Sequence, residues 1–176
     1  PSLSISGLTV PAGGNITVAY ETEVNAFAPM DAAGTITNTA VVSGGGITPI
    51  TVTETIGTES TPILTITKSV SPVPVTENGT LTYTFLIQNA GSAPADIGTD
   101  AVIVDTFNPL LSNLAVSFNG TAWAETTNYT YDETTGVFTT IAGQITVPAA
   151  TYTQNPATGV WTADPGVSTL VVKGTI

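Results

Sequence analysis

Hydrophobic and polar residues alternate along much of the chain with a period of two. In the segment LTYTFLIQN at residues 81–89, one face carries Leu81, Tyr83, Phe85 and Ile87. Such alternation is typical of half-buried antiparallel strands. No stretch has helical periodicity, and Pro29 limits the alanine-rich residues 25–33 to at most one turn of helix. The pattern predicts further strands at residues 3–10, 15–24, 35–43, 50–56, 63–70, 101–107, 114–118, 128–132, 137–141, 144–147, 150–154, 160–162 and 167–175.

Turn-forming residues separate the predicted strands. YTYDETTGVF at residues 129–138 and YTQNPATGVW at residues 152–161 each place a polar turn ending in Thr-Gly between two strands. We predict two hairpins of similar build. Short strands with regularly spaced turns favour an all-β fold, and a β-sandwich in particular.

The charge and the missing residue types exclude many functions. The net charge is −11, Lys68 and Lys173 are the basic residues, and the chain has no arginine, histidine or cysteine. Histidine- or cysteine-based catalytic systems, ordinary zinc sites and disulfides are therefore excluded. A nucleic acid or an anionic membrane surface needs a basic footprint that this chain lacks. We predict a protein that is not an enzyme, takes no cofactor or metal, and does not insert into a membrane.

A polar, turn-prone run at residues 57–62 predicts a domain boundary. We assign residues 1–58 to the C-terminal part of a first repeat, residues 59–62 to a linker and residues 63–176 to a second repeat. About four strands are too few for an independent sandwich, so we expect the first repeat to be incomplete at its N-terminus.

Two stretches resemble a known family. ILTITKSVSPVPVTENGTLTYTFLIQNAGSAPA at residues 63–95, followed by AVIVDTFNP at 101–109, resembles the start of the bacterial surface-protein "conserved repeat domain". VPAGGNITVAYETEVNAFAPMDAAGTITNTAVV at residues 10–42 resembles the end of the same repeat. The resemblance implies tandem immunoglobulin-like Greek-key β-sandwiches in an extracellular protein of clostridial surface or spore-appendage type, on the bacterial cell surface or spore surface.

Three polar residues share a strand face with apolar neighbours. Lys68 follows Leu64 and Ile66, Asp105 follows Ala101 and Ile103, and Asn38 lies between Ile36 and Ala40. We therefore expect all three side chains to point inward. Burial favours a neutral amine and a protonated acid. A neutral Lys68 amine is then a nucleophile, Asp105 an acid that moves protons, and Asn38 the acceptor of an isopeptide bond. Related sandwich families form this bond, and these positions match its lysine, acid and asparagine by resemblance.

Each of these residues also has a structural interpretation. Lys68 could extend to solvent or form a plain ion pair with Asp105. Asn38 could satisfy backbone at a bulge, and Asp105 could cap the turn before Asn108-Pro109.

The three residues are split between repeats, since Asn38 belongs to the first and the other two to the second. The second repeat has no Thr-Asn-Thr-Ala strand of its own, and we expect it to lack its final strand. An Asn-bearing strand from a neighbouring copy would complete that fold by strand addition, and repetition would give a fibre that is a homopolymer. The alternatives are a monomeric stalk or adhesin module and a carbohydrate-binding module.

Other residues suggest weaker hypotheses. Lys173 alternates with Leu170 and Val172, and we interpret it as a solvent-facing lysine on an edge strand. A calcium site could use Asp96, Asp100, Asp132 and Glu133, although no regularly spaced acidic loop is present. A sugar-stacking platform could use Trp123, Tyr129, Phe138 and Trp161, although aromatic residues in a sandwich more often pack in its core.

Overall fold

The computed structural model describes residues 2–23, 35–57, 60–158 and 160–176. These residues form twelve strands and one short 3₁₀ turn, Ile97–Thr99, with no α-helix among them. The predicted helical turn at residues 25–33 and the first residue of the predicted linker 59–62 lie outside the described residues. The strands are β1 Thr35–Gly44, β2 Ile47–Gly57, β3 Leu64–Ser71, β4 Thr80–Asn89, β5 Val104–Thr106, β6 Ser112–Phe118, β7 Thr121–Trp123, β8 Tyr129–Asp132, β9 Val137–Thr140, β10 Thr151–Gln154, β11 Trp161–Asp164 and β12 Gly166–Thr175.

The strands form four antiparallel sheets, and the predicted all-β class is confirmed at that level. The largest sheet has five strands in the order β3-β4-β12-β6-β7, and a second has three in the order β5-β9-β8. Each remaining sheet is a hairpin of two strands, β1-β2 and β10-β11. The two predicted Thr-Gly turns join β8 to β9 and β10 to β11, although Gly159 itself lies outside the described residues.

Side chains from both larger sheets meet in one buried apolar cluster. Strand β4 contributes Leu81, Tyr83, Phe85 and Ile87, as its alternation predicts. Phe138 on β9 and Leu170 on β12 are fully buried. Side chains of the five-stranded and three-stranded sheets therefore share one core, and neither β3 nor β5 contributes a buried residue to it.

Asn89 anchors the beginning of β3 to this core. Its side chain is fully buried, and its Oδ1 accepts hydrogen bonds of 2.9 Å from the backbone N–H groups of Ile63 and Gly91. Its Nδ2 donates to the backbone oxygens of Ala93 at 2.7 Å and Pro148 at 3.0 Å. One fully hydrogen-bonded amide thus joins the chain before β3 to two loops.

The first part of the chain is organised differently. Residues 2–23 contain no strand, so the predicted strand at 3–10 and the described part of 15–24 are not formed. The β1–β2 hairpin is exposed along nearly its whole length. An apolar–polar alternation supplies a strand with a suitable face, but a strand also needs a partner to hydrogen-bond.

Other boundaries differ in detail. The predicted strand at 101–107 is shortened to β5, and the one at 144–147 forms only an isolated bridge between Ala95 and Val147. Lys173 is exposed as predicted, but β12 is hydrogen-bonded to β4 and β6, so the prediction of an edge strand was wrong. In the described residues, no helix is long and apolar enough to cross a membrane.

Candidate functional site

Lys68 on β3 and Asp105 on β5 form an ion pair between the Lys68 Nζ and the Asp105 Oδ2. The two strands belong to different sheets, and the pair joins them across the edge of the core. Residues 101, 103, 105 and 107 face inward and 102, 104 and 106 outward, so strand alternation directs the Asp105 carboxylate towards β3. Two of the three predicted site residues therefore lie in contact.

Aromatic rings surround the ammonium group. The Lys68 Nζ lies 4.7 Å from the ring centroid of Tyr83, 5.3 Å from that of Phe107 and 5.6 Å from that of Phe85. Tyr83 and Phe107 pack against each other, with centroids 4.7 Å apart. A cation over aromatic faces is attracted by their quadrupoles. The rings therefore hold the amine beside the carboxylate without providing another charged partner.

Asp105 is the less solvated member of the pair. Its side chain is 19% exposed, and its Oδ2 is buried with no hydrogen bond, so the neighbouring ammonium is its main compensation. Its negative charge also acts on Tyr83. Burial raises the pKa of the Tyr83 hydroxyl, and the Asp105 carboxylate and the neighbouring Tyr131 raise it further. The site thus combines a carboxylate with low hydration and a phenol that stays protonated.

Lys68 is more exposed than its alternation suggests. The side chain is 38% exposed, and Leu64, Ile66 and Val70 on the same face are exposed by 36%, 50% and 39%. The amine reaches inward to the rings, but this face of β3 is open to solvent. The difference arises because alternation identifies the face of a strand and does not say whether a neighbouring element covers it.

An open apolar groove of about 270 Å³ lies beside the ion pair. Leu64 and Ile66 form one wall, and residues 101–104 form the other. Its floor includes Ile87 and Ile145, which are 3% and 1% exposed. Lys68 lies two residues after Ile66 on the strand of the first wall, and Asp105 lies two residues after Ile103 on the segment of the second. The groove therefore leads to the ion pair.

The first wall of the groove is a strand edge, and the second leads into another, since Val104 begins β5. Among the described strands, β3 is hydrogen-bonded only to β4, and β5 only to β9. An unpaired edge presents a row of backbone N–H and C=O groups that can bind another strand. The groove thus has the apolar floor and the backbone hydrogen-bonding groups that an added strand requires.

Asn38 lies elsewhere, on the exposed β1–β2 hairpin. Its Nδ2 donates a 2.8 Å hydrogen bond to the Tyr20 hydroxyl, and its cross-strand neighbour is Glu54. In the described part of the chain, its side chain is therefore hydrogen-bonded to Tyr20 rather than to Lys68 or Asp105. The structure brings together the amine and the acid and leaves the amide on a separate surface.

Sequence reasoning missed two residues next to Asn38. Tyr20 could not be found from the alternation, because its contact joins segments whose pairing was not predicted. Glu54 could have been found, since it lies between Val52 and Ile56 in TVTETI and breaks the apolar alternation as Lys68 and Asp105 do. Directly opposite residues in an antiparallel pair share a face, so Glu54 and Asn38 project from the same side of the hairpin.

Several residues of the possible calcium and sugar sites have roles in turns or in the core. The Asp96 side chain caps the 3₁₀ turn, and Asp132 accepts hydrogen bonds from Thr134 and Thr135. Among the described residues, no group of three or more acidic side chains is arranged to hold a metal ion. Tyr129 and Phe138 are 4% and 0% exposed, so neither belongs to a surface platform for a sugar.

Comparison of the chain with protein-family models, with curated proteins and with solved structures finds no match. The resemblance to the conserved repeat domain stays a prediction.

Proposed function

We propose that the protein is a non-enzymatic structural subunit of a bacterial surface or spore fibre. Copies join head to tail when an Asn-bearing strand of one copy adds to the groove of the next, and a Lys68–Asn38 isopeptide bond then seals the joint. The observation that carries this proposal is the ion pair at the end of an open apolar groove with free strand edges. We further propose that the two larger sheets are the layers of an immunoglobulin-like sandwich.

The alternation of β1 matches that of β3. When Asn38 is set opposite Lys68, the apolar residues on either side of Asn38 meet apolar residues of β3. Antiparallel pairing sets Ala40 opposite Ile66, and parallel pairing sets Ala40 opposite Val70. β1 can therefore pair with β3 in either the parallel or the antiparallel direction, with apolar side chains opposite apolar ones and the Asn38 amide opposite the Lys68 amine.

In the proposed reaction, the Lys68 amine replaces the nitrogen of the Asn38 side-chain amide. The Lys68 ammonium gives a proton to the Asp105 carboxylate, and the neutral Nζ attacks Cγ of Asn38. The Cγ–Nδ2 bond breaks as the Cγ–Nζ bond forms, and Nζ loses a second proton. Of the two protons that leave Nζ, one passes through Asp105 to Nδ2, which departs as ammonia, and the other is released from Asp105 to solvent. The products are a secondary amide and ammonia, and no oxidant or other reactant is consumed.

The open site explains why the reaction waits for the added strand. In the free subunit Lys68 is 38% exposed and ion-paired with Asp105, while the Asn38 side chain is hydrogen-bonded to Tyr20. A strand in the groove excludes water from the pair and holds the amide against it. Burial then favours proton transfer, and proximity supplies the effective concentration that a slow single turnover needs.

Electrophoresis after boiling in SDS tests the proposal. Purified wild type, incubated at high concentration, should form a ladder of covalent multimers. Lys68→Ala and Asn38→Ala should each remove the ladder, whereas the matched change Lys173→Ala should keep it. A mixture of the two inactive variants should form a covalent dimer and nothing longer, because one supplies only the amine and the other only the amide.

The other functional classes predict different results. A wild type that stays monomeric and elongated at all concentrations would contradict the proposal and favour a stalk module. Retention on a polysaccharide resin without assembly would favour carbohydrate binding. Filaments that dissolve to monomers in SDS would contradict the covalent bond and leave strand addition standing.

A further inference from the structure

The β1–β2 hairpin has an apolar face with one charge on it. Cross-strand pairing places Ile36 beside Ile56, Ala40 beside Val52 and Val42 beside Ile50. Between these pairs lie Asn38 and Glu54. The opposite face carries threonines, whose hydroxyls pair across the strands at 3.3 and 3.5 Å. The hairpin is therefore two-sided, with a threonine face and an apolar face.

Most of this apolar face is exposed to solvent, although Tyr20 contacts it at Asn38 and Ile36 is half-buried. Val42, Ile50, Val52 and Ile56 are each exposed by about 60%. Exposed contiguous apolar surface of this kind marks an interaction site. Glu54 has no salt bridge within the described residues. The face thus combines exposed apolar side chains with one carboxylate that has no cationic partner among the described residues.

We infer that the face carrying Glu54 docks on the groove of a second copy and that Glu54 pairs there with Lys68. This inference rests on the proposed function and names the residue that selects the partner surface. Cations are scarce in this chain, with two lysines against a net charge of −11. Lys173 lies on the central strand β12, whereas Lys68 lies at the end of an apolar groove. The groove therefore offers the face an apolar surface of a second copy, with a partly exposed lysine at its end.

The geometry of strand addition allows the contact. With β1 beside β3, Glu54 on β2 lies two strand spacings, about 10 Å, from Lys68 on the same side of the sheet. A lysine and a glutamate side chain together span that distance. The ammonium has three N–H donors and Asp105 takes one side of it, so its exposed side remains for Glu54. The ion pair selects and aligns the copies, and it is released when Lys68 becomes an amide.

Charge exchange between two variants tests the inference. Glu54→Lys presents a lysine to the unchanged groove and should weaken assembly about tenfold or more, and Lys68→Glu should do the same. Mixed together, the two variants should assemble as alternating copies, since residue 54 of each hairpin then meets a residue 68 of opposite charge. Boiling in SDS should reduce these assemblies to covalent dimers, because only alternate joints contain Lys68.

Matched controls change the same charges elsewhere. Glu77→Lys in an exposed turn and Lys173→Glu on β12 should each assemble like wild type, as measured by sedimentation velocity and electron microscopy. Circular dichroism verifies that each variant folds, and Glu54→Gln provides a milder change of the same residue. Assembly of Glu54→Lys and Glu54→Gln at the wild-type rate would overturn the inference. So would a folded mixture of the two exchange variants that fails to assemble. Failure of wild type to assemble would instead contradict the proposed function.

Discussion

Replacing Lys68 with methionine removes the cation next to Asp105 and keeps a long side chain over the aromatic rings. The Asp105 side chain is 19% exposed, and its Oδ2 is buried without a hydrogen bond, so the change leaves a poorly solvated charge. Breaking a fully buried pair costs about 3–5 kcal/mol, and breaking an exposed pair costs about 0–1 kcal/mol. The intermediate exposure of this pair gives an expected loss of about 2 kcal/mol in the free energy of unfolding.

Removing the carboxylate instead of the ammonium is expected to lower the free energy of unfolding by less. Asp105→Asn leaves the Lys68 ammonium, which is 38% exposed and still faces the rings, so we expect a loss of about 1 kcal/mol or less. The double variant should be more stable than Lys68→Met alone. All variants carry Asn38→Ala to prevent the covalent bond and are studied at concentrations where sedimentation velocity shows monomers, and urea unfolding followed by circular dichroism gives their stabilities. Equal losses for the two single changes, or strict additivity in the double variant, would refute this account of the pair.

Two further predictions concern Asn89, which anchors β3, and Asp132 in the turn after β8. Asn89→Ala should lower the free energy of unfolding, measured in urea, by about 3 kcal/mol, because the N–H of Gly91 loses its buried acceptor. The control Gln88→Ala, at a half-buried position on the other face of β4, should change it by about 0.5 kcal/mol. Similar losses in both variants would contradict this role of Asn89. Hydrogen bonds from Thr134, and to a smaller extent from Thr135, lower the pKa of Asp132 from 3.8 to about 2. The folded state therefore gains its full stabilisation from these hydrogen bonds above pH 3.8 and loses it as the pH falls towards 2. The stability difference between the parent and Asp132→Asn should therefore shrink as the pH falls through this range, and a constant difference would contradict it.

Part of the fold follows from local pattern. Strand β4 alternates between buried and half-buried residues as predicted, because apolar and polar side chains occupy opposite faces of a pleated strand. The same alternation singles out Lys68 and Asp105, which are in contact, because each is a polar residue that shares a strand face with apolar ones. The same rule would have identified Glu54, which was overlooked.

Other features depend on which strands become neighbours. The exposure of Lys68 is set by the open face of β3, and Lys173 lies on a central strand because β12 pairs with both β4 and β6. The sequence pattern of one strand contains neither fact. The hydrogen bond between Tyr20 and Asn38 is similarly invisible to a rule that treats strands one at a time.

The covalent joint between copies is tested most directly by mass spectrometry on a single, isolated joint. An Asn38→Ala chain uniformly labelled with ¹⁵N supplies only the amine, and an unlabelled Lys68→Ala chain supplies only the amide. The account predicts a dimer lighter than its two chains by one ammonia, with a crosslinked peptide that joins labelled Lys68 to unlabelled Asn38. A dimer whose mass equals the sum of its chains and whose Lys68 amine is free would contradict the account.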